Sequence, residues 1–159
     1  MATMTFATWR ALTELLSWQA WPSWPGASRV GVWLGDPFTP PADLAATDVS
    51  VVVVPIIDSP DQDWAALGAH AKNESFRVPV VASVLTPGLT ALEVACRLES
   101  LAEVIESVLR EAATVEGRPA GLADHVWQIG VAQVRPAVWP SGEGYVGQVE
   151  IPVGINARI

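Results

Sequence analysis

The stretch from Phe76 to Ala113 constrains the fold of this chain most strongly, because three structural signals follow one another along it. From residue 76 to 84, apolar side chains recur at every second position, which predicts a β-strand. Thr86-Pro87-Gly88 interrupts this run and favours a tight turn. Thr90 and Glu93 then have the spacing of a capping box, in which the threonine hydroxyl accepts a hydrogen bond from the backbone N–H of Glu93. A helix is therefore predicted to begin here.

The predicted helix has one apolar face and one charged face. Apolar side chains recur along it at steps of three and four, the spacing of a helix that packs on a sheet. The predicted core positions are Val94, Leu98, Leu101, Ile105, Val108 and Ala112, and Ala91, Ala95, Ala102 and Leu109 widen the stripe. The opposite side carries Glu99, Glu103, Glu106 and Arg110. Gly117 and Pro119 follow, and we expect them to end the helix.

Length and hydropathy limit what this chain can be. Its 159 residues favour one domain with a sizeable core. Half of the chain (50%) is apolar and the mean hydropathy is +0.32, yet no apolar run reaches the roughly 18 residues of a membrane span. We expect no signal peptide, since Arg10 and Glu14 interrupt the N-terminal residues. An apolar chain of this kind often buries surface against other subunits.

Charge and cysteine content further limit the functions that this chain can have. A net charge of −8 argues against nucleic-acid binding, because affinity for phosphates depends largely on Lys and Arg. Cys96 is the single cysteine, so no intramolecular disulfide can form, which fits a reducing compartment. Its position within the long helix predicts a buried or half-buried structural thiol rather than a nucleophile.

The N-terminal third predicts one helix and two strands. Residues 5–20 show the apolar periodicity of a helix, and the Trp- and Pro-rich segment 21–26 ends it. We expect these tryptophans to pack under the helix and seal the edge of the core, and an aromatic recognition surface is the alternative. Strands are predicted at 30–34 and 48–57, with Pro55 at a sheet edge or a bulge.

The middle and the C-terminal third predict a loop and a hairpin. Residues 58–75 are polar and acidic, and we expect a loop there with a short helix at 64–71. Two alternating runs, 126–138 and 145–159, lie on either side of the linker 140–144, which is typical of a β-hairpin.

These elements predict a single α+β domain over residues 1–159. Its mixed, mainly antiparallel β-sheet packs against the N-terminal helix (5–20) and one long central helix. The strand, turn and helix of residues 76–114 form its centre, and a C-terminal β-hairpin over 125–159 completes it.

Two patterns suggest ligand sites and are better explained otherwise. Residues 142–147 spell G-x-G-x-x-G, but a dinucleotide-binding turn follows a strand and opens a helix, whereas here a strand follows. A hairpin turn is the favoured interpretation. Asp58, Asp61 and Asp63 suggest a metal loop, but their spacing does not fit the calcium-loop pattern, which favours a solvated acidic loop.

The histidines and the cysteine of this sequence form no recognisable catalytic motif. His70 and His125 stand in no metal-binding motif. A nucleophilic Cys96 would need a base brought from elsewhere, such as His125. We therefore expect no enzymatic activity, no catalytic residues, no cofactor and no metal site.

The order of the elements resembles a known family. The segment V-x-V-W-x-G-x-P at 30–37 precedes valine-rich strands, a strand that ends in T-P-G, and the capped helix. The chain closes on W-P-S-G-E-G-Y-V-G-Q-V-E-I-P-V-G-I-N-A-R-I, residues 139–159. This arrangement is similar to the tail terminator proteins of long-tailed (siphovirus-type) bacteriophages of actinobacteria, and the likeness extends over most of the chain, best over 76–159.

The resemblance implies a structural virion protein without catalytic residues. Such a protein forms a homo-oligomeric ring, a hexamer, that caps the tail tube, stops tube polymerisation and receives the head completion (stopper) protein. DNA passes through the ring without being bound specifically, and the protein works in the tail and neck of the virion after assembly in the host cytoplasm, away from membranes. An acidic lumen would repel phosphates and fits this role.

The acidic loop and the C-terminal hairpin supply the candidate interface residues. They are Asp58, Asp61, Asp63, Trp139, Glu143, Tyr145, Gln148 and Glu150. One alternative is another adaptor protein of the head–tail neck. A further alternative is a small α+β enzyme or ligand-binding domain that uses His125, Cys96 or the acidic loop.

Overall fold

The computed structural model describes residues 5–55, 61–64, 72–114, 126–131 and 134–158. Within them the chain forms two α-helices, a short 3₁₀ turn and seven β-strands. In chain order these are α1 (Thr5–Ser17), β1 (Gly31–Leu34), the 3₁₀ turn (Ala42–Leu44), β2 (Val49–Val53), β3 (Asp61–Trp64), β4 (Lys72–Val84), α2 (Ala91–Thr114), β5 (Val126–Val131), β6 (Arg135–Ser141) and β7 (Gly144–Arg158). Neither helix is long and apolar enough to cross a membrane, as far as the described residues go.

The seven strands form one mixed, mainly antiparallel sheet, which confirms the predicted α+β class. The order across it is β1-β2-β4-β7-β5, with β3 beside β4 and β6 beside β7. Only β1 and β2 run parallel among the described pairs. Because β7 follows one side of β4 from Asn73 to Val84, β2 and β3 share the other side of β4. By the same reasoning, β5 and β6 share the outer side of β7.

The core lies between one face of the sheet and the two helices. Side chains at every second position of the central strands enter it, as alternation requires. The strands contribute Val49, Val51, Val53, Val78, Val80, Ala82, Val84, Val149, Ile151, Val153 and Ile155, and the helices contribute Leu12, Leu16, Val94, Leu98, Leu101, Ile105, Val108 and Leu109. Full burial of each larger side chain contributes roughly 1.5–3 kcal/mol, so packing holds the helices in place.

The start of α2 confirms the predicted capping box. The backbone N–H of Glu93 donates to Thr90 Oγ1 at 3.2 Å, and the backbone N–H of Thr90 donates to Glu93 Oε1 at 3.5 Å. The first helical bond joins Val94 N to Thr90 O at 3.1 Å. Along the helix the stripe from Val94 to Leu109 is buried, but Ala91 and Ala95 are exposed, so the predicted core face was too wide at its first turn.

The helix α1 ends at Ser17, three positions before the predicted end. Side chains that follow it take over the last free carbonyls: Gln19 Nε2 donates to Leu15 O at 2.9 Å, and Trp21 Nε1 donates to Leu16 O at 3.0 Å. Such bonds satisfy acceptors that another helical turn would otherwise use. Trp21 and Trp24 are half-buried against the core, which confirms the predicted packing role of this segment.

The acidic segment is not a simple loop. Residues 61–64 form β3 and pair with the first residues of β4, which begins at Lys72 instead of Phe76. The short helix expected at 64–71 is wrong at Trp64, which belongs to β3, and its remaining positions lie outside the described residues. The sequence does not predict this pairing, because the segment is polar and lacks the apolar alternation that indicates a strand.

Two other strand predictions need correction. The strand β2 stops at Val53 rather than at Ile57, although Val54 N still donates to Pro79 O at 2.9 Å. The single run predicted over 126–138 is divided into β5 and β6. The hairpin itself is confirmed, and its turn is shorter than the predicted linker because Ser141 and Gly144 already pair.

Candidate functional site

The predicted interface residues fall at two ends of the sheet. Asp58 lies outside the described residues. Asp61 and Asp63 lie in β3 and pair with Ser75 and Asn73 near the start of β4. The other five candidates lie on the β6–β7 hairpin, which runs beside the last residues of β4. The structure therefore does not bring the acidic segment and the hairpin into one surface.

The β6–β7 hairpin closes through a two-residue turn. Gly142 has a φ of 59°, whereas no non-glycine residue among those described has a positive φ. A glycine with positive φ followed by a residue with negative φ is the pattern of a type II′ turn, which matches the twist of a hairpin. Glu143 completes the turn and is exposed.

The hairpin presents the largest exposed apolar side chains of the sheet's far edge. Val138 and Trp139 are each 37% exposed and Tyr145 is 38% exposed. Every residue of β6 is exposed, and among the described strands it pairs with β7 alone, so it forms a sheet edge with apolar side chains. Exposed apolar surface at a sheet edge is typical of a contact with another chain.

Strong contacts hold the hairpin against the rest of the domain. Tyr145 N donates to Leu89 O at 2.9 Å, which ties the start of β7 to the turn two residues before α2. At Gly147 a Cβ atom would lie 2.8 Å from both Leu98 Cδ1 and Val94 Cγ1, so only glycine allows α2 to approach this closely. The hairpin tip is thus a rigid surface with a fixed position beside the first turn of α2.

The two faces of β7 differ as the sequence predicts. Its apolar residues point into the core, and Gln148 and Glu150 are half-buried on the face turned away from the helices. Gln148 lies directly opposite Ser83 of β4. Ser83 Oγ and Gln148 Nε2 are buried and have no hydrogen-bond partner among the residues that the structure describes. These two residues form a polar pair in the middle of that face.

The Asp48 carboxylate is the centre of a hydrogen-bond cluster beside the start of β2. Asp48 accepts hydrogen bonds from Ser28 N at 2.7 Å and Thr86 Oγ1 at 2.7 Å, and also from Ser28 Oγ. Burial alone raises the pKa of Asp48, but these hydrogen bonds together outweigh it and hold its pKa below the ordinary value. The cluster joins the approach to β1, the start of β2 and the end of β4, which is a structural task.

The residues considered for catalysis do not form a site in the described structure. Cys96 is exposed, so the prediction of a buried or half-buried thiol is wrong. Its side chain lies on the side of α2 opposite the buried Val94 and Leu98. His70 and His125 lie outside the described residues. No group of three His, Cys, Asp or Glu side chains that could hold a metal occurs within the described ranges. The G-x-G-x-x-G pattern is a hairpin turn followed by β7, as expected.

Two features of the structure are not predicted from the sequence. Leu92, on the first turn of α2, is 73% exposed although it follows the capping threonine in an apolar stretch. The Asp48 cluster gave no sequence signal, since Ser28, Asp48 and Thr86 are far apart in the chain. The sequence does predict the face on which Gln148 and Glu150 lie, because alternation along 145–159 already separates the two faces.

A scan against models of known protein families and a search of curated proteins both give no match for this chain.

Proposed function

We propose that this chain is a structural virion protein of the tail terminator type. In this proposal its subunits form a closed ring, a hexamer, on the end of the phage tail tube. The ring stops tube polymerisation and presents the surface to which the head completion (stopper) protein binds. The observation that carries the proposal is the rigid β6–β7 hairpin, whose edge strand is exposed along its whole length.

The hairpin has the properties that a subunit contact needs. Val138, Trp139 and Tyr145 keep 37–38% of their surface exposed in the single chain. Aromatic side chains on a rigid element lose little conformational freedom on binding and often anchor interfaces. Repeated contacts between two different surfaces close into a ring when the rotation per subunit is correct.

The charge of the chain fits passage of DNA better than binding of DNA. A net charge of −8 over 159 residues repels phosphate groups. A ring with such subunits lets a duplex move through its lumen without holding it. In this proposal the protein has no enzymatic activity and no cofactor, and it is located in the tail and neck of the virion after assembly in the host cytoplasm.

Native mass spectrometry of the purified chain, with and without purified tail tubes, tests the proposal. We expect a closed oligomer, with six copies as the main species at the tube end. Trp139→Glu should weaken this assembly, because it places a charge on the exposed apolar tip. Trp18→Glu is the matched control, since Trp18 is 74% exposed and lies at the end of α1 outside the sheet. A chain that stays monomeric both free and on tubes would contradict the proposal.

A further inference from the structure

The open edge strand β6 contains two prolines, Pro136 and Pro140, and their positions in the ladder are informative. Ser141 and Gly144 flank the two-residue turn, so they form a hydrogen-bonded pair in which both backbones face each other. The direction of the backbone N–H and C=O groups alternates from residue to residue along a strand. The backbone groups of Trp139 therefore also point toward β7, whereas those of Pro136, Val138 and Pro140 point away from the sheet.

An independent hydrogen bond supports this assignment of directions. Tyr145 N donates to Leu89 O, away from β6, so residue 145 does not turn its N–H toward Pro140, its partner in the register. Proline has no N–H. The outward side of β6 from residue 136 to 140 therefore offers the carbonyls of Pro136, Val138 and Pro140 but a single N–H, that of Val138. A strand that added to this edge would leave acceptors of its own without donors, which disfavours sheet extension.

An exposed arginine, Arg29, lies at the opposite edge of the sheet at the same level. Ser28 N is bonded to Asp48 Oδ1, and Leu85 N donates to Asp48 O at 2.7 Å. The register continues this row through the end of β4 and the start of β7 to Trp139, which pairs with Val146. Arg29 follows Ser28 and is exposed. Arg29 and Trp139 thus mark opposite edges of one cross-sheet row.

These two edges cannot meet within one subunit. Five strand positions at about 4.8 Å spacing separate them by roughly 19 Å, beyond the reach of an arginine side chain. They can meet between two copies that stand edge to edge with the same orientation. A guanidinium carries five donors and stacks on an indole ring, so its chemistry matches an edge that is rich in carbonyls and carries an exposed tryptophan.

We propose that the β6 edge of one subunit docks on the Arg29 side of the next through side chains, with Pro136 and Pro140 preventing the two sheets from joining by strand pairing. This inference rests on the proposed ring and specifies its contact. The Arg29 guanidinium donates to outward carbonyls of β6 and lies against Trp139. The contact is between two different surfaces, so it repeats from subunit to subunit.

Self-association of single variants tests the contact. We expect Arg29→Ala and Trp139→Ala each to weaken the subunit contact about tenfold, and the double variant to lose no more than either one alone. Arg10→Ala is the matched control, because Arg10 is an exposed arginine on α1, and it should leave association unchanged. Sedimentation over a concentration series gives the constants.

A second variant tests the role of the prolines. Pro136→Val with Pro140→Val restores two outward N–H groups, and we expect it to convert discrete rings into larger aggregates that bind thioflavin. Discrete rings of unchanged stability in this variant would overturn the role of the prolines. A ring that forms normally in Arg29→Ala and Trp139→Ala would overturn the contact but leave the proposed function standing. A wild-type chain that is monomeric both free and on tubes would overturn both.

Discussion

Pro79 of β4 and Pro152 of β7 lie directly opposite each other in the two central strands of the sheet. Proline is rare in central strands because it cannot donate to the ladder. Val54 N donates to Pro79 O, so the backbone of Pro79 faces the β2 side and not Pro152. The register likewise turns Pro152 toward the side of β5 and β6. Neither missing N–H therefore weakens the pairing between β4 and β7.

Each proline lies where its strand changes its pairing partner on the outer side. Pairing on one side of β4 passes from β2, which ends at Val53, to β3, which pairs from Ser75 onward. On the outer side of β7, pairing passes from Arg135 of β6 to Val131 of β5. On one side of the two prolines the central strands β4 and β7 are flanked by β1, β2 and β6, and on the other side by β3 and β5.

We predict that Pro79→Val lengthens the β2–β4 ladder by one pair. Valine at this position offers an N–H to Val54 O, which completes a reciprocal pair. The new bond contributes about 0.5–1.5 kcal/mol, and the loss of proline's restriction of the unfolded chain costs about 0.4–1 kcal/mol, so the free energy of unfolding should change little. Hydrogen exchange should show a slowly exchanging amide at residue 79. Fast exchange there would show that the position is not part of the ladder.

We predict that Gly147→Ala destabilises the domain and loosens the hairpin. The added methyl group would lie 2.8 Å from Leu98 Cδ1 and Val94 Cγ1 and 2.9 Å from Ala137 O, so α2 must move away from β7. We expect a loss of about 1–3 kcal/mol in the free energy of unfolding, measured by urea denaturation. Ala95→Leu adds more atoms on the exposed side of the same helix and should change stability by less than about 0.5 kcal/mol. Equal effects of the two changes would argue against a close packing role for Gly147.

We predict that Asp48→Asn destabilises the domain at pH 7 and has a smaller effect in acid. Hydrogen bonds from Ser28 and Thr86 keep the pKa of Asp48 below its ordinary value. The carboxylate therefore contributes its full stability above the unfolded-state pKa of about 3.9, and this is lost as the pH falls through its lower folded pKa.

The expected loss at pH 7 is about 1–3 kcal/mol, because asparagine is uncharged and offers one acceptor oxygen where Asp48 offers two. Asp43→Asn changes an exposed carboxylate on the 3₁₀ turn and should have little effect at either pH. Urea denaturation of both variants at pH 7 and pH 3 measures the difference. A loss for Asp48→Asn that stays constant between the two pH values would show that its charge does not matter.

We predict rapid labelling of Cys96 by a thiol reagent in the native protein. The side chain is exposed and lies on the side of α2 that faces away from the sheet. The rate should be close to that of the unfolded chain, and Cys96→Ala should leave folding and assembly intact. The proposed assembly through the β6 edge and Arg29 would leave this side of α2 uncovered, so labelling should stay fast in the proposed ring. Protection on assembly would place the subunit contact elsewhere.

The parts of the fold that depend on neighbouring residues could be predicted from the sequence. The capping pair Thr90 and Glu93 fixes the start of α2 within four residues, and alternation along β7 separates its core face from Gln148 and Glu150. Such signals are local, so they survive without knowledge of the partner strands.

The features that depend on distant partners could not be predicted. The strand β3 lacks apolar alternation, and only its pairing with the start of β4 makes it a strand. Cys96 and Ala95 lie close to core positions in sequence, but their exposure depends on how α2 is rotated on the sheet. Asp61 is separated from the hairpin because β3 pairs with the start of β4 and the hairpin lies beside its end, a register that a sequence pattern does not contain.

The most direct test of the central claim is electron microscopy of tail tubes assembled from purified tube protein in the presence of this chain. We predict one ring with sixfold symmetry at the tube end, tubes that stop growing once it is bound, and loss of the ring with Trp139→Glu but not with Trp18→Glu. Tubes that grow at an unchanged rate, with ends that carry no ring or a density without rotational symmetry, would contradict the account.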